Sequence, residues 1–487
     1  MCAASTTRTA SPRSRRQLRE ENGSGGPVFL HLTSASDFLK AAPLPSQLGR
    51  CRFGLLCLRS FVEGEKLMPF IAKVTLLFVV FVDLLGQGLV FPIINTLVMD
   101  PGTSMLPRDT TDAMRHFDYG LIIGVFFICW FLGAPYISKL SDVIGRKNAI
   151  LICLFGALGG YALTIGALYM NSFPLLILGR AITGLTAGNQ PIAQAAMIDG
   201  SADEEDRNRN MGYIITGVSF GLVGGPIIGG FLSDPQFLGS ISSVKLPFYA
   251  CFALVAIAIA LVLFTFREPD EGPAERQPFV FRPAEIFELL WQIRKYPKVL
   301  RLTMVFFFFH IANMSFYIFV DNYLTSRFDY GTLGGSMVML TIGVALAFSS
   351  TFLVVPAQKR FSKQAILGGT FVVWAVSAAA FVASPIALLT FVPVFCFYFV
   401  FGIAYPTFLG LYSAAVSDEE QGWVMGVTIA VFTLVAGIIS LLGGDLIGVD
   451  LNLPFYGVIA AALIALLVMF LAWNRPDIRV LTRKSAG

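Results

Sequence analysis

Runs with no Asp, Glu, Lys or Arg recur along this chain at Tyr119–Ser138, Asn210–Ser233, Leu246–Phe266, Tyr330–Gln358 and Leu451–Asn474. Each is as long as the ~20 apolar residues an α-helix needs to cross a bilayer. Inside a membrane every backbone N–H and C=O must be bonded within its own segment, so such a run folds as a helix. Charged residues make up 14% of the chain, against roughly 25% in soluble proteins. The first 67 residues hold a disproportionate share of them. A secreted domain, a nucleic-acid binder and a cytosolic enzyme are thereby excluded, and the chain reads as an all-α protein that crosses the membrane many times.

Splitting the apolar runs at Pro, Gly and isolated charges predicts twelve spans. They lie near 70–98, 119–138, 148–169, 173–198, 210–233, 247–266, 302–324, 334–356, 364–383, 385–416, 422–445 and 453–473. With the first span entering from the cytosol, the inner loops and C-terminal tail hold 19 Lys and Arg and the outer loops four, Arg108, Arg115, Lys245 and Arg327. That satisfies the positive-inside rule and places both termini in the cytosol. The side rich in Lys and Arg is called inner, the opposite side outer.

Residues 267–300 contain Pro269, Pro273, Pro278, Pro283 and Pro297 and an amphipathic patch at Ile286–Ile293. They predict a cytosolic linker between six-helix bundles at 68–266 and 301–474, with a cytosolic tail at 475–487. An internal repeat agrees: Asp203-Glu204-Glu205, Met211-Gly212 and Gly229-Gly230 recur in order as Asp418-Glu419-Glu420, Met425-Gly426 and Gly443-Gly444. Two parallel six-span repeats about an axis normal to the membrane are a transporter architecture. Residues 1–67 lack the 7–15-residue apolar core of a signal peptide. They read as a disordered cytosolic extension or, the favoured reading, as an upstream start assigned in place of Met68. The seven cysteines show neither a disulfide framework nor zinc spacing, and those within spans read as small packing residues.

An ionised side chain within a span costs about 2.5–3.5 kcal/mol on insertion scales, so the few present need a partner or a task. Asp83 in the first span is the leading proton carrier. Arg180 in the fourth joins the proton-coupling set by binding an anionic group, with a structural ion pair as the equal alternative. His310, Asn313, Tyr317 and Asp321 share one face of the seventh span and are predicted to line a central cavity. The His310 imidazole titrates near neutral pH in its ordinary form and is the third proton-coupling candidate, or else a neutral packing residue. Asp321 alternatively sits at the outer interface. Gln87, Gln190 and Gln194 are further cavity candidates, and Tyr398, Tyr405 and Tyr412 recur every seventh residue, a pattern more often packing than site. With 45 Phe in the chain, a cavity walled by rings and dotted with polar groups suits an amphipathic organic substrate.

The segment SKLSDVIGRKNAI between the second and third spans, with Asp142, Gly145, Arg146 and Lys147, resembles the loop motif of the major facilitator superfamily. Ser138 stands in place of its first Gly and Val143 in place of a basic residue. The resemblance implies a charge network that latches the halves, joined by Asp199 at the end of span 4. Span 5, GVSFGLVGGPIIGG, carries Gly217, Gly221, Gly225, Pro226, Gly229 and Gly230. Small residues at this spacing let a neighbouring helix approach closely, and the segment resembles the motif of proton-driven exporters in that superfamily. Span 1, FVDLLGQGLVFPIINTL, and span 4, LGRAITGLTAGNQPIAQAAMID, extend the likeness to the tetracycline efflux and related drug:proton antiporters. Asn95 stands where that branch usually has a second Pro, and Gly160 with Tyr161 replaces its span-3 Asp.

The expectation is a twelve-span major facilitator antiporter, acting as a monomer in a bacterial cytoplasmic membrane and exchanging a small amphipathic compound for protons. Neither cofactor, metal, nucleic-acid partner nor enzyme activity is expected: the chain has no P-loop GxxxxGK[ST] and no convincing nucleophile set. Export of an endogenous product such as a siderophore, uptake of a nutrient, and a non-transporting sensor or scaffold are the alternatives.

Overall fold

A computed structural model describes residues 68–100, 105–201, 204–267, 285–417 and 420–482. The tail at 1–67, most of the proline-rich linker, and Asp203, Asp418 and Glu419 of the repeat lie outside the described residues. The described chain is helical throughout. In order come α1 (Phe70–Met99), α2 (Asp112–Ile144), α3 (Arg146–Met170), α4 (Phe173–Leu185), α5 (Asn189–Asp199) and α6 (Glu204–Ser233). The short α7 (Pro235–Leu238) leads to α8 (Leu246–Thr265), and α9 (Glu285–Gln292) follows the linker. Then come α10 (Pro297–Phe328), α11 (Thr332–Phe352), α12 (Val354–Arg360), α13 (Lys363–Ala383), α14 (Ala387–Ser413), α15 (Gln421–Val449), α16 (Leu453–Ala472) and α17 (Pro476–Thr482).

Eleven of these, among the described residues, are unbroken helices long and apolar enough to cross a membrane. The one remaining predicted span, the fourth at 173–198, is broken into α4 and α5 at Thr186–Gly188. Pro191, just past the break, cannot donate to the carbonyl of Ala187 and its ring crowds it; Pro92, Pro135 and Pro226 sit inside unbroken helices, so the proline favours the break without requiring it. Tight bonds close the break instead, from Ala187 N to Gly184 O at 3.1 Å and from Gly188 N to Thr186 O at 2.9 Å. Gly184 also lies so close to α2 that a Cβ there would stand 2.3 Å from Phe126 O. Between α2 and α3 the chain turns at Gly145, whose φ of 95° is open to glycine and costly for other residues.

Helix pairing repeats between the halves. In the first, α1 packs on α6 and α8, α3 on α4 and α8, and α2 on α4; in the second, α10 packs on α15 and α16, α13 on α14 and α16, and α11 on α14. The halves meet along α2 with α15 and α6 with α11, pairs that the same two-fold relation exchanges. The outer part of this boundary is tightly sealed. A Cβ on Gly120 would stand 2.2 Å from Ser440 O, and one on Gly444 2.8 Å from His116 O. Asn95 Nδ2 donates to Thr325 Oγ1 at 2.7 Å, Asn322 Nδ2 donates to Asn95 Oδ1 at 3.1 Å, and the Thr96 and Thr332 hydroxyls meet at 2.8 Å. Tyr119 donates across the boundary to Ile318 O at 2.8 Å.

On the inner side, α9 lays Ile286 against Phe131 of α2 and Ala430 of α15, leaving Phe287 and Trp291 exposed. Where the linker enters α10, the Tyr296 hydroxyl donates to Glu420, and that bond with one from Ser417 holds the Glu420 carboxyl below its usual range.

Candidate functional site

A cavity of about 230 Å³ lies between the halves. Gln87 and Phe91 of α1, Phe126, Phe127 and Trp130 of α2, Arg180 of α4 and Gln190 of α5 line it from the first half. The second half adds His310, Asn313 and Tyr317 of α10, Tyr398, Phe401 and Tyr405 of α14, and Phe432 of α15. Rings cross the boundary here: Phe432 meets Phe127 and Trp130 edge-on at centroid distances of 5.9 and 5.7 Å, and Phe91 meets Tyr317 at 5.0 Å.

A smaller cavity of about 30 Å³ adjoins it, lined by Asp83, Gln87, Phe126, Tyr161, Arg180 and Thr183 among others. Gln87, Phe126 and Arg180 line both spaces, so the Asp83 compartment and the ring-walled one share a wall. The smaller space has room for water. Asn189, the first residue after the break in span 4, donates from Nδ2 to Asp83 Oδ1 at 3.4 Å. The break thus brings an amide to the carboxylate. The Arg180 guanidinium lies with Cζ 4.4 Å from the centre of the Phe126 ring, and its Nε is buried without a hydrogen-bond partner. A cation over a ring face gains about 0.5–2 kcal/mol, which leaves most of its donor capacity for another group.

His310 is enclosed by Phe306, Phe309, Tyr405 and Phe432, at centroid distances of 4.3 to 6.1 Å. Neither ring nitrogen has a hydrogen-bond partner, and Asn313 Oδ1 is likewise buried and open. Of the predicted cavity residues, Gln87, Gln190, His310, Asn313 and Tyr317 line the larger space and Gln194 lines neither. Tyr398 and Tyr405 face it, whereas Tyr412 donates to Thr303 Oγ1 at 2.9 Å. Asp321 lies beyond it, in the sealed outer boundary. Sequence reasoning did not single out Asn189, although it precedes Gln190, or Tyr161 as a wall of the Asp83 compartment. The individual rings carried no signal among so many Phe.

The inner loop brings its predicted residues together. Arg146 donates to Asp142 Oδ1 at 2.6 Å and to Asp199 Oδ2 at 3.1 Å, all within the first half, and Lys147 Nζ donates to Leu263 O at 3.0 Å. The small-residue face of α6 lies on α1: a Cβ on Gly221 would stand 2.7 Å from Phe81 O, and one on Gly225 2.6 Å from Leu85 O. Gly229 sits against Leu89, and Pro226 reaches the cavity wall. A buried pair that the sequence reading passed over lies at the inner end of the same helices. Lys73 Nζ donates to both Asp206 oxygens, at 3.0 and 3.1 Å, and Arg209 joins them at 2.5 Å.

Comparison with known proteins agrees with this architecture. The Major Facilitator Superfamily profile matches residues 76–441. The class C tetracycline resistance protein of Escherichia coli is 28% identical over 374 residues, covering 74% of this chain and 86% of that protein. The quinolone resistance protein NorA of Staphylococcus aureus is 22% identical over 407 residues, covering 81% and 95%. Among solved structures, the human organic anion transporter MFSD10 (TETRAN) superposes with a TM-score of 0.63 at 17% identity, over 82% of this chain and 99% of that one. A D-xylose-proton symporter superposes with a TM-score of 0.66 at 14% identity, over 84% and 99%. Fold and relatives are those of transporters rather than enzymes. A boundary cavity between two repeats of six spans, in a chain that the family profile matches from the first span to the eleventh, has one reading: this multi-pass membrane protein belongs to the Major Facilitator Superfamily, in its drug-efflux-like branch.

Proposed function

We propose that the chain exports small amphipathic organic compounds in exchange for protons, as a monomer with both termini in the cytosol. The observation that carries the proposal is the paired cavity, a ring-walled space for an apolar ligand separated from the compartment of Asp83 only by shared residues, Arg180, Gln87 and Phe126. The relatives' resistance to tetracyclines and quinolones, compounds with fused planar rings, supports the ligand class, and their bacterial hosts support a bacterial cytoplasmic membrane.

In this mechanism the halves rock about the cavity. The substrate stacks on Phe127, Trp130 and Phe432 and is fixed by hydrogen bonds from Gln190, Asn313 and a neutral His310. Asp83 takes a proton when its compartment faces outward and gives it up inward, and Arg180 answers the change in charge beside it. Each charge moved inward is worth about 2.3 kcal/mol per 100 mV. The Asp142, Arg146 and Asp199 cluster and the small-residue face of α6 govern the rocking. In proteoliposomes, a fluoroquinolone and a tetracycline serve as probes: an imposed pH gradient should drive their flux, and adding either to protein at equilibrium should release protons. Flux indifferent to the gradient would refute the coupling.

A further inference from the structure

Asp321 has no task in that mechanism, although it is an acid 1% exposed at the boundary between halves. It lies one turn outward of Tyr317, where α10 meets α1 and α11. Its Oδ1 lies 2.0 Å from where a Cβ on Gly335 would stand, and its Oδ2 has no hydrogen-bond partner. Asn95 of α1 faces the carboxyl. Elsewhere in the outer boundary Asn322 Oδ1 and the Ser336 hydroxyl are also buried and unpartnered, the latter against Gly230 of α6. One amide hydrogen of Asn95 goes to Thr325 and one of Asn322 goes to Asn95, and none of these bonds reaches Oδ2 of Asp321.

No cation compensates it among the described residues. Tyr119 of α2 and Tyr317 of α10 are its titratable neighbours, and Tyr119 already donates to Ile318 O. His116 of α2 meets Asn322 rather than Asp321. Arg115 gives its guanidinium to the carbonyls of Val98 and Pro107, at 2.8 and 3.1 Å. Neither α11, which presents Gly335 and Ser336, nor α13 to α16 brings a charged group to the carboxyl. An ionised carboxylate buried without a cation is costly, and a proton on the unpartnered Oδ2 removes the charge.

We infer that Asp321 is a second proton-binding site, in exchange with the outer side, whose protonation holds the outer boundary shut. When the boundary parts, water reaches the carboxyl and the proton leaves to it. When the boundary closes, one proton from outer water bonds to the carboxylate. Because the proton enters and leaves on the same side, the site sets the gate and adds nothing to the transport stoichiometry. Asn95 is the amide that joins α1 to the cluster around Asp321.

The test reads conformation, so it stands apart from the proton-carrier role of Asp83. Nitroxide labels on Asp109→Cys and Ser326→Cys, exposed positions on opposite sides of the boundary, report its opening by electron–electron distance in a chain whose other cysteines are replaced. The open-to-closed ratio should rise with pH, by up to about tenfold per unit for one proton. Asp321→Asn, which keeps the shape but cannot ionise, should stay shut at every pH. A wild-type ratio that does not change with pH overturns the inference without any variant. So does an Asp321→Asn protein, eluting as a single species, that opens with pH as wild type does.

Discussion

The two halves share one scheme of helix pairing and fill it differently. In the first, helices approach through glycines, and the interior holds Asp83, Arg180, the Lys73–Asp206 pair and a broken span. The interior of the second is a continuous stack of rings through α10, α13, α14 and α16. Phe309 lies 4.7 Å from Trp374, Trp374 4.5 Å from Phe397, and Phe397 4.4 Å from Phe316, which meets Phe455 at 5.5 Å. Each such pair adds about 0.5–1.5 kcal/mol beyond burial. The difference points to a division of labour in which the second repeat supplies a rigid wall and the first the charges beside the cavity, Asp83 and Arg180, with Asp321 of the second repeat set apart at the outer boundary.

The largest effect that sharpens this contrast is expected at Trp374. Trp374→Ala empties the centre of the ring stack and strands Phe397 O, which accepts from Trp374 Nε1 at 2.9 Å. Destabilisation of about 3–5 kcal/mol should appear as a lowered unfolding midpoint in detergent, with proton coupling intact in the surviving protein. Loss of coupling without loss of stability would break the division. Next comes Lys73→Met, which leaves Asp206 buried with Arg209 as its remaining cation. Breaking a buried pair costs about 3–5 kcal/mol, and the partly exposed Arg209 reduces this to about 2 kcal/mol. An unchanged midpoint would mean that the pair has no structural weight. Phe432→Ala should cost least, about 1 kcal/mol of substrate affinity or roughly a fivefold weaker Kd by fluorescence titration, with little change in stability.

The membrane architecture was legible in the sequence because charge-free runs and loop charges act locally and leave a linear record. The cluster of Asp142, Arg146 and Asp199 was legible for a related reason: two members share one short loop, and the third ends a span on the same side. Gln87, Asn313 and Tyr317 were found because polar residues in an apolar helix stand out. What the sequence concealed was long-range. Nothing in the surroundings of Lys73 names Asp206 as its partner. The kink at Pro191 could have been expected from the proline, but not that it would carry Asn189 to Asp83. Gln194 shares a helical face with Gln190 yet lines neither cavity, because α5 passes the cavity at its first turn. The ring wall is set by how α2, α14 and α15 are rotated, and a chain with so many Phe does not announce which of them face inward.

The central claim is that Asp83 carries the coupled proton while the ring-walled cavity holds the substrate. Asp83→Asn separates these roles most directly when assayed twice in the same proteoliposomes, once for flux driven by a pH gradient and once for exchange of labelled for unlabelled substrate at equal pH. The account predicts that gradient-driven flux collapses to background while exchange persists near the wild-type rate. Gradient-driven flux equal to wild type in Asp83→Asn would contradict it.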